Sequence, residues 1–448
     1  MRCSRSLATT RNRLLTALAT GALVLSVAAA APATAADSSA TKCADPSGTV
    51  KIGASYFGGV GKAYADIGGD DSLTPADQAV IDNYKAGVDA LNASGGLAGC
   101  EVELVTFNFR ATSPDYHQES QKECAAFTQD EKVVAVFGAA YETQAGFDCY
   151  AKAKTPFFTT GGKYAPTCAD LKKYAGYIYL ASSVASCRFS SFVGMWDKAG
   201  LFPKDAKVGI LAIEDGSGQG TYVAEKVYGP ALKKLGIPFQ TFSYPAPINT
   251  PDFANTNAAM GPAILKFKNE GVNVVLFTPA GPTGPAAFMP QAANQSFFPA
   301  YGLDTADGLA ISAALGANAV KQGVGISWAI ADLPLAAQQT LPANPAITGC
   351  AAWSAPSQAT LTGSSPYCDY LNLLKSGFAN ASKADAASLK KGIDALGTSF
   401  DSSITYGGAT KFGKNVFGGA SMAQMLEFDP TTKAWKLASA KQAAVTIP

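Results

Sequence analysis

Six stretches place glycine and polar residues directly after apolar runs. They are SYFGG (55–59), GAAYET (138–143), TTGGK (159–163), EDGSGQG (214–220), TPAGP (278–282) and GLDTADG (302–308). Their chemistry is that of holding a small molecule. Gly161 and Gly162 leave backbone N–H groups bare of side chains, which suits close approach of a ligand. The hydroxyls of Thr159 and Thr160, with Lys163 nearby, complete a donor-rich corner for a carboxylate or carbonyl. Glu142 bears on that choice. Turned inward, it repels a carboxylate and favours an amine or a neutral amide. Turned outward, it sits at the start of a helix near Thr143, where negative charge is favoured. Tyr56 and Phe57 close the first apolar run, and Ala140 and Tyr141 precede Glu142. Asp215, Ser217 and Gln219 belong to the fourth stretch, Asp304 and Asp307 to the last. Trp328 ends a further apolar run, where core packing and stacking on a ligand are both open.

Catalytic and cofactor readings lack parts. The chain has one histidine, His117, placed among Asp115, Gln118 and Glu119 as on a solvated helix face. There is no C-x-x-C, so zinc held by Cys and His is not expected. No G-x-S-x-G occurs, which counts against an extracellular hydrolase. Gly216-x-Gly218-x-Gly220 is not the dinucleotide spacing, and Gly161-Gly162-Lys163 lacks the rest of a phosphate loop. Glu214 and Asp215 are adjacent on an extended run, so they point to opposite faces and make no acid–base pair. No cofactor and no metal are expected.

The first residues read as an export signal. Arg2, Arg5, Arg11 and Arg13 precede an apolar run from Leu14 to Ala31, and Ala33-Thr34-Ala35 fits a cleavage site. A signal peptide over 1–35 and a secreted chain from Ala36 are expected. Ala-Thr-Lys before Cys43 does not fit a lipoprotein signal. Cleavage removes four basic residues and no acidic ones, taking the formal charge from +1 to −3. Such a balance is a poor match for nucleic acid or anionic membrane. Eight cysteines remain, an even count that favours disulfides in an exported chain. Cys43–Cys100 is expected because both precede neighbouring strands. Cys124–Cys149 is expected because successive crossover helices lie side by side. Cys168–Cys187 and Cys350–Cys368 are pairings by proximity in sequence.

The elements that must position these stretches alternate. Strands are expected at 50–57, 100–109, 133–139, 157–160 and 177–182, with helices at 75–92, 113–129 and 143–154 between them. A second series has strands at 207–216, 239–245, 272–281, 299–304 and 323–330, with helices at 219–235, 252–269 and 284–295. Region 331–366 reads as a loop excursion, followed by helices near 366–379 and 385–396. A mixed tail carries Tyr406, Phe412, Phe417 and Trp435. Repeated βα units with short apolar strands predict parallel sheets covered by helices, and the two series predict two such lobes. In open parallel sheets ligands sit beyond the carboxyl ends of the strands, where the six stretches fall.

In order, VKIG, VDALNASGGLAGCEVELVTFN, DEKVVAVFGA, KTPFFTTGG, VGILAIEDGSGQG and NVVLFTPAGPTGPAAFMPQA resemble type I periplasmic solute-binding proteins. The Leu/Ile/Val-binding group that serves ABC importers is the nearest branch, over roughly 50–435. The resemblance implies an α/β fold of two Rossmann-like lobes with parallel sheets, joined by a three-crossover hinge. A small polar ligand would be enclosed by hinge closure. The partners implied are that ligand and the permease of an importer, with the protein itself a monomer and not an enzyme. A sensing or scavenging ectodomain of the same fold remains open. Crossovers are expected near 182–187, 321–325 and 398–405. They divide the chain into lobe I at 36–184 and 323–400, and lobe II at 185–322 and 401–448. In the family a serine often stands where Glu142 stands here, followed by Thr143. An Ala-Thr pair corresponds to Gly161, Gly162 and Lys163, and a tyrosine to Ser217. An acid near the last lobe-two strand is matched by Asp304 or Asp307. The change at Glu142 predicts that free leucine, isoleucine and valine bind weakly or not at all.

Overall fold

The computed structural model describes residues 42–43, 47–59, 77–138, 143–159, 167–174, 176–180, 184–214, 218–247, 252–278, 283–307, 309, 320–333, 338, 346, 349–350, 366–397, 400–406, 409–438 and 445–446. The expected signal peptide lies outside them. Two eight-stranded sheets organise the chain.

The first sheet is built around β1 (Thr49–Gly58), which pairs in parallel with β2 (Glu101–Arg110) and with β3 (Val136–Phe137). β4 (Phe157–Thr159) and β5 (Ile178–Leu180) continue it in parallel. The spatial order is 2-1-3-4-5. The second sheet repeats that order with β6 (Val208–Glu214), β7 (Phe239–Pro245), β8 (Val274–Phe277), β9 (Ala300–Asp304) and β10 (Gly323–Ser327). Alternate residues of these strands feed different cores. Ile210, Val274, Leu276 and Ile326 pack on one face with Phe192 and Trp196. Leu211, Val275, Phe277 and Leu303 pack on the other with Ile264 and Phe288. Helices form where the apolar spacing demands them. In α1 (Asp77–Ala93), Tyr84, Gly87, Val88 and Leu91 are buried on one face. α2 (Tyr116–Ala125) starts where the Asp115 carboxylate accepts from the N–H groups of His117 and Gln118.

The tail of the chain joins both sheets. β10 pairs with β9 and, antiparallel, with β14 (Met422–Asp429), so residues 323–327 belong to the second sheet. Gly323 and Gly325 leave room for the Trp435 ring against β10. Trp435 donates its indole N–H to the Leu309 carbonyl at 2.7 Å. That packing holds β10 beside the tail. Conversely β11 (Phe400–Asp401), β12 (Ala409–Gly413) and β13 (Val416–Ala420) extend the first sheet, with β13 beside β5. Helices α10 (Pro366–Phe378) and α11 (Ala386–Asp394) pack on the first sheet through Leu371, Leu374, Leu389 and Ile393. The chain therefore passes from the first sheet to the second between β5 and β6, returns after β10, and passes again between β13 and β14.

The four disulfides are Cys43–Cys100, Cys124–Cys149, Cys168–Cys187 and Cys350–Cys368, with Cα–Cα distances of 5.6, 6.3, 5.9 and 5.6 Å. Each loop they close is short, with sequence separations of 57, 25, 19 and 18.

Candidate functional site

An order of 2-1-3-4-5 opens a crevice outside the carboxyl ends of the first and third strands of each series. In the first sheet that is the β1/β3 edge. Ser55 is fully buried there and donates to the Phe137 carbonyl at 3.3 Å, while the Tyr84 hydroxyl donates to the Ser55 carbonyl at 3.0 Å. The Asp77 carboxylate accepts from the Gly59 N–H at 3.1 Å and fixes the strand tip. Tyr56 and Phe57 are half-buried at this tip. Burial, then the Asp77 charge, raises the Tyr56 phenol above its ordinary value. Phe57 lies 5.9 Å from Tyr116 and 6.0 Å from Phe109, so much of its ring is committed to packing. The Thr143 hydroxyl is buried and has no hydrogen-bond partner among the described residues.

The second sheet has the matching edge at β6/β8. The Thr278 hydroxyl accepts from the Ile213 N–H at 3.1 Å and ties the two strand ends. The glycine-rich turn after β6 has a mechanical explanation. Gly218 has φ +72°, a left-handed conformation that suits glycine, and precedes helix α6 (Gln219–Tyr222). A Cβ on Gly220 would stand 2.0 Å from the Ile213 carbonyl oxygen. Gly220 lets the helix touch the strand backbone. Gly220→Ala is expected to cost about 1–3 kcal/mol of stability, read as a lower urea midpoint. An unchanged midpoint would show that the helix start shifts freely.

Asp304 and Asp307 close a buried turn after β9. One Asp304 oxygen accepts from the N–H groups of Ala306 at 2.7 Å and Asp307 at 3.3 Å, and Asp307 accepts from the Asp304 N–H at 3.1 Å. They are 0% and 1% exposed. Burial pushes Asp304 up to about 7 and Asp307 well above the carboxylate range, against the pull of those backbone donors. Asp304 is thus packed into the lobe rather than displayed at its surface.

A polar network stitches the crossovers beside that turn. Asp332 accepts from Thr305 at 2.6 Å and from Ser327 at 2.8 Å, and the Tyr406 hydroxyl lies 2.8 Å from Ser327. Burial pushes Asp332 up to about 6, with both hydroxyl bonds opposing. The Ile330 N–H donates to the Ile404 carbonyl at 2.8 Å. On helix α10, Asp369 accepts from the Ser403 N–H at 2.6 Å, the Ser403 hydroxyl at 2.8 Å and the Ser402 hydroxyl. Trp328 stands inside this region, 2% exposed and 5.7 Å from Phe192, with its backbone N–H donating to the Thr305 hydroxyl at 2.9 Å. Its ring is core.

Of the residues singled out from sequence, Tyr56 and Phe57 are half-exposed at the end of β1 and Gln219 at the start of α6, while Asp304 and Trp328 are buried. Ala140, Tyr141, Glu142, Thr160, Gly161, Gly162, Lys163, Asp215 and Ser217 lie outside the described residues. Sequence reading missed Ser327, Asp332, Asp369 and Tyr406, whose partners are up to 79 positions away.

No family model matches this sequence, and no curated protein matches it. Solved structures do. A leucine-binding protein LivK from Thermotoga maritima aligns with TM-score 0.63 at 13% identity, over 89% of this chain and 99% of that one. The branched-chain amino acid transporter substrate-binding protein LivJ from Streptococcus pneumoniae, in complex with isoleucine, gives 0.62 at 16%, over 89% and 99%. A solute-binding protein of an ABC transporter from Rhodopseudomonas palustris, in complex with 3,4-dihydroxybenzoic acid, gives 0.60 at 15%, over 89% and 98%. The chain has the two-lobed fold of type I periplasmic binding proteins. Within that class, its solved neighbours are of the Leu/Ile/Val-binding-protein-like kind.

Proposed function

We propose that the chain is a secreted solute-binding protein that encloses a small polar ligand between its lobes and delivers it to an ABC importer. The observation that carries this reading is the pair of matching switch-point edges, β1/β3 and β6/β8, on sheets joined by three crossovers. Lobe I comprises the first sheet with α10 and α11, and lobe II the second sheet. A ligand first contacts one lobe, and closure lets the donors of the other replace its water. Specificity follows because a wrong ligand leaves buried polar groups unpaired. The chain is a binder and not a catalyst. In this reading the single histidine, His117, is a helix-start residue whose backbone N–H donates to the Asp115 cap. Among the described residues no helix is long and apolar enough to cross a membrane.

A thermal-shift screen over amino acids, amides, aromatic acids and short peptides tests the reading. A ligand at one hundred times its Kd adds about 2.7 kcal/mol to the folded state, a rise of several degrees in Tm. Leucine, isoleucine and valine are expected to give little, because Glu142 replaces a hydroxyl. Micromolar binding of any of the three by calorimetry would turn Glu142 outward. A screen in which no solute shifts Tm would overturn the function itself.

A further inference from the structure

The second lobe gathers its lysines at the end of the sheet away from the candidate site. Strands β6 to β10 all run the same way. At their amino ends, Lys204 and Lys207 precede β6 and Lys321 precedes β10. Lys233 and Lys234 end helix α7 (Gly229–Lys234), which leads into β7. Lys266 and Lys268 end helix α8 (Phe253–Asn269), which leads into β8. The acids beside them are Asp205 and Glu270, while Asp197 and Lys198 add one charge of each sign. Glu214, Asp304 and Asp307 stand at the opposite, carboxyl ends of β6 and β9.

Among the described residues none of these seven lysines forms an ion pair with an acid. The stretch 308–319, which precedes Val320, contains no acid in its sequence. Three of the lysines bond to backbone instead. Lys207 Nζ is 3.5 Å from the Glu270 carbonyl oxygen, Lys268 Nζ 2.7 Å from that of Gln295, and Lys266 Nζ 3.3 Å from that of Thr241. Lys321 Nζ lies 3.7 Å from the centre of the Phe298 ring. Beyond β10, by contrast, Lys436 of β15 (Ala434–Leu437) pairs with Glu427 and Asp429 at 3.2 and 3.7 Å. Five strands side by side make the unpaired cationic face about 20 Å across.

Apolar side chains are set among these charges. The large apolar residues that are exposed among the described ones all belong to this lobe: Tyr222, Leu235, Leu265 and Phe298, at 42, 40, 58 and 38%. Leu235 follows Lys233 and Lys234, Leu265 precedes Lys266, and Phe298 lies under Lys321. Helix dipoles account for the four lysines at helix ends. They do not account for Lys204, Lys207 or the exposed apolar side chains.

We propose that this end of the second lobe docks on an anionic phospholipid surface. The lysines meet headgroup phosphates, and Leu235, Leu265 and Phe298 enter the boundary with the acyl chains. A soluble polyanion would use the charges and leave the leucines in water, so the apolar residues favour the bilayer. Whole-chain charge conceals this face because the acids lie at the other end of the strands. The contact would hold an exported chain that lacks a lipoprotein signal beside the membrane, with the carboxyl ends of its second-lobe strands turned outward.

Flotation of the mature chain with vesicles tests this without any solute, so its outcome is separate from that of the solute screen. Vesicles containing phosphatidylglycerol are expected to carry the protein at low salt, and pure phosphatidylcholine vesicles are not. About 0.5 M salt should release it, since screening then acts within a few ångströms. Lys233→Gln, Lys234→Gln and Lys321→Gln together should weaken binding at least tenfold. Leu235→Ser with Leu265→Ser should weaken it severalfold at unchanged charge. All five positions are exposed, so both variants should keep the parent Tm. Lys132→Gln, Lys152→Gln and Lys154→Gln, at the matching end of the first lobe, should leave binding as it was. The proposal is overturned if anionic vesicles carry no protein, or if the first-lobe variant loses as much as the second-lobe one. A leucine variant that binds like the parent, with inorganic polyphosphate competing fully, would mark a site for a soluble polyanion and overturn it too.

Discussion

Trp328→Ala is expected to destabilise the ligand-free protein by about 3–5 kcal/mol. The side chain is 2% exposed and packs on Phe192, whose ring lies 6.1 Å from Trp196 in the same cluster. Truncation leaves a cavity bounded by β-strand and helix residues that cannot collapse into it. Urea unfolding of the ligand-free protein reads the loss. A ligand-stacking tryptophan would behave differently, with an unchanged midpoint and a lower affinity. That result would place the ring in the cleft rather than in the core.

Between about pH 4 and pH 7 the protein is expected to become less stable as pH rises. Asp332 and Asp369 are pushed up to about 6 and Asp304 to about 7, first of all by burial. A carboxyl raised in the folded state binds its proton more tightly there than in the unfolded chain. Its contribution is full below the unfolded value near 4 and is lost as pH climbs through the folded value. For Asp332, a move from 3.8 to about 6 is worth on the order of 3 kcal/mol over that window. Glu119 works the other way. Its pair with Arg110 holds it below its ordinary value, so its contribution disappears only as the solution becomes more acidic. Denaturant midpoints at pH 4.5, 6 and 7.5 measure the trend. Asp332→Asn should flatten it, since the amide cannot ionise. Stability that climbs steadily from pH 4.5 to 7.5, with the same profile in Asp332→Asn, would refute the assignment.

The sequence made the paired βα series legible because short apolar strands and amphipathic helices have different periods. Tyr84, Val88 and Leu91 announce their helix face without any tertiary information. The tail was harder. Strands 400–420 and 422–437 are read from similar mixtures of small, polar and aromatic residues, yet they join different sheets. Nothing local distinguishes them, because partner choice is decided by Leu180 beside Gly418 and by Val324 opposite Glu427. For the same reason nothing local announces that β10 pairs with both β9 and β14. Asp304 was legible as an acid after a lobe-two strand but not as a buried one. That depends on the return of Ala306 and Asp307 N–H groups to its own carboxylate. The crossover network was invisible, since Ser327 and Tyr406 meet only after both lobes have formed.

The edge of the first sheet carries a consequence for how the chain is made. β5 ends at Leu180, but its outer neighbour is Gly418 of β13. On a ribosome, or during refolding from denaturant, the N-terminal sheet stays open at that edge until more than 200 further residues have been produced. An unfinished edge is a template for pairing with another chain. Contacts of such large sequence separation also form slowly. The second lobe is interrupted in the same way, since β14 reaches β10 only from the far end of the sequence. Neither lobe can finish before the other has been threaded, so a C-terminal truncation at residue 400 should yield an aggregating chain rather than a shorter folded one.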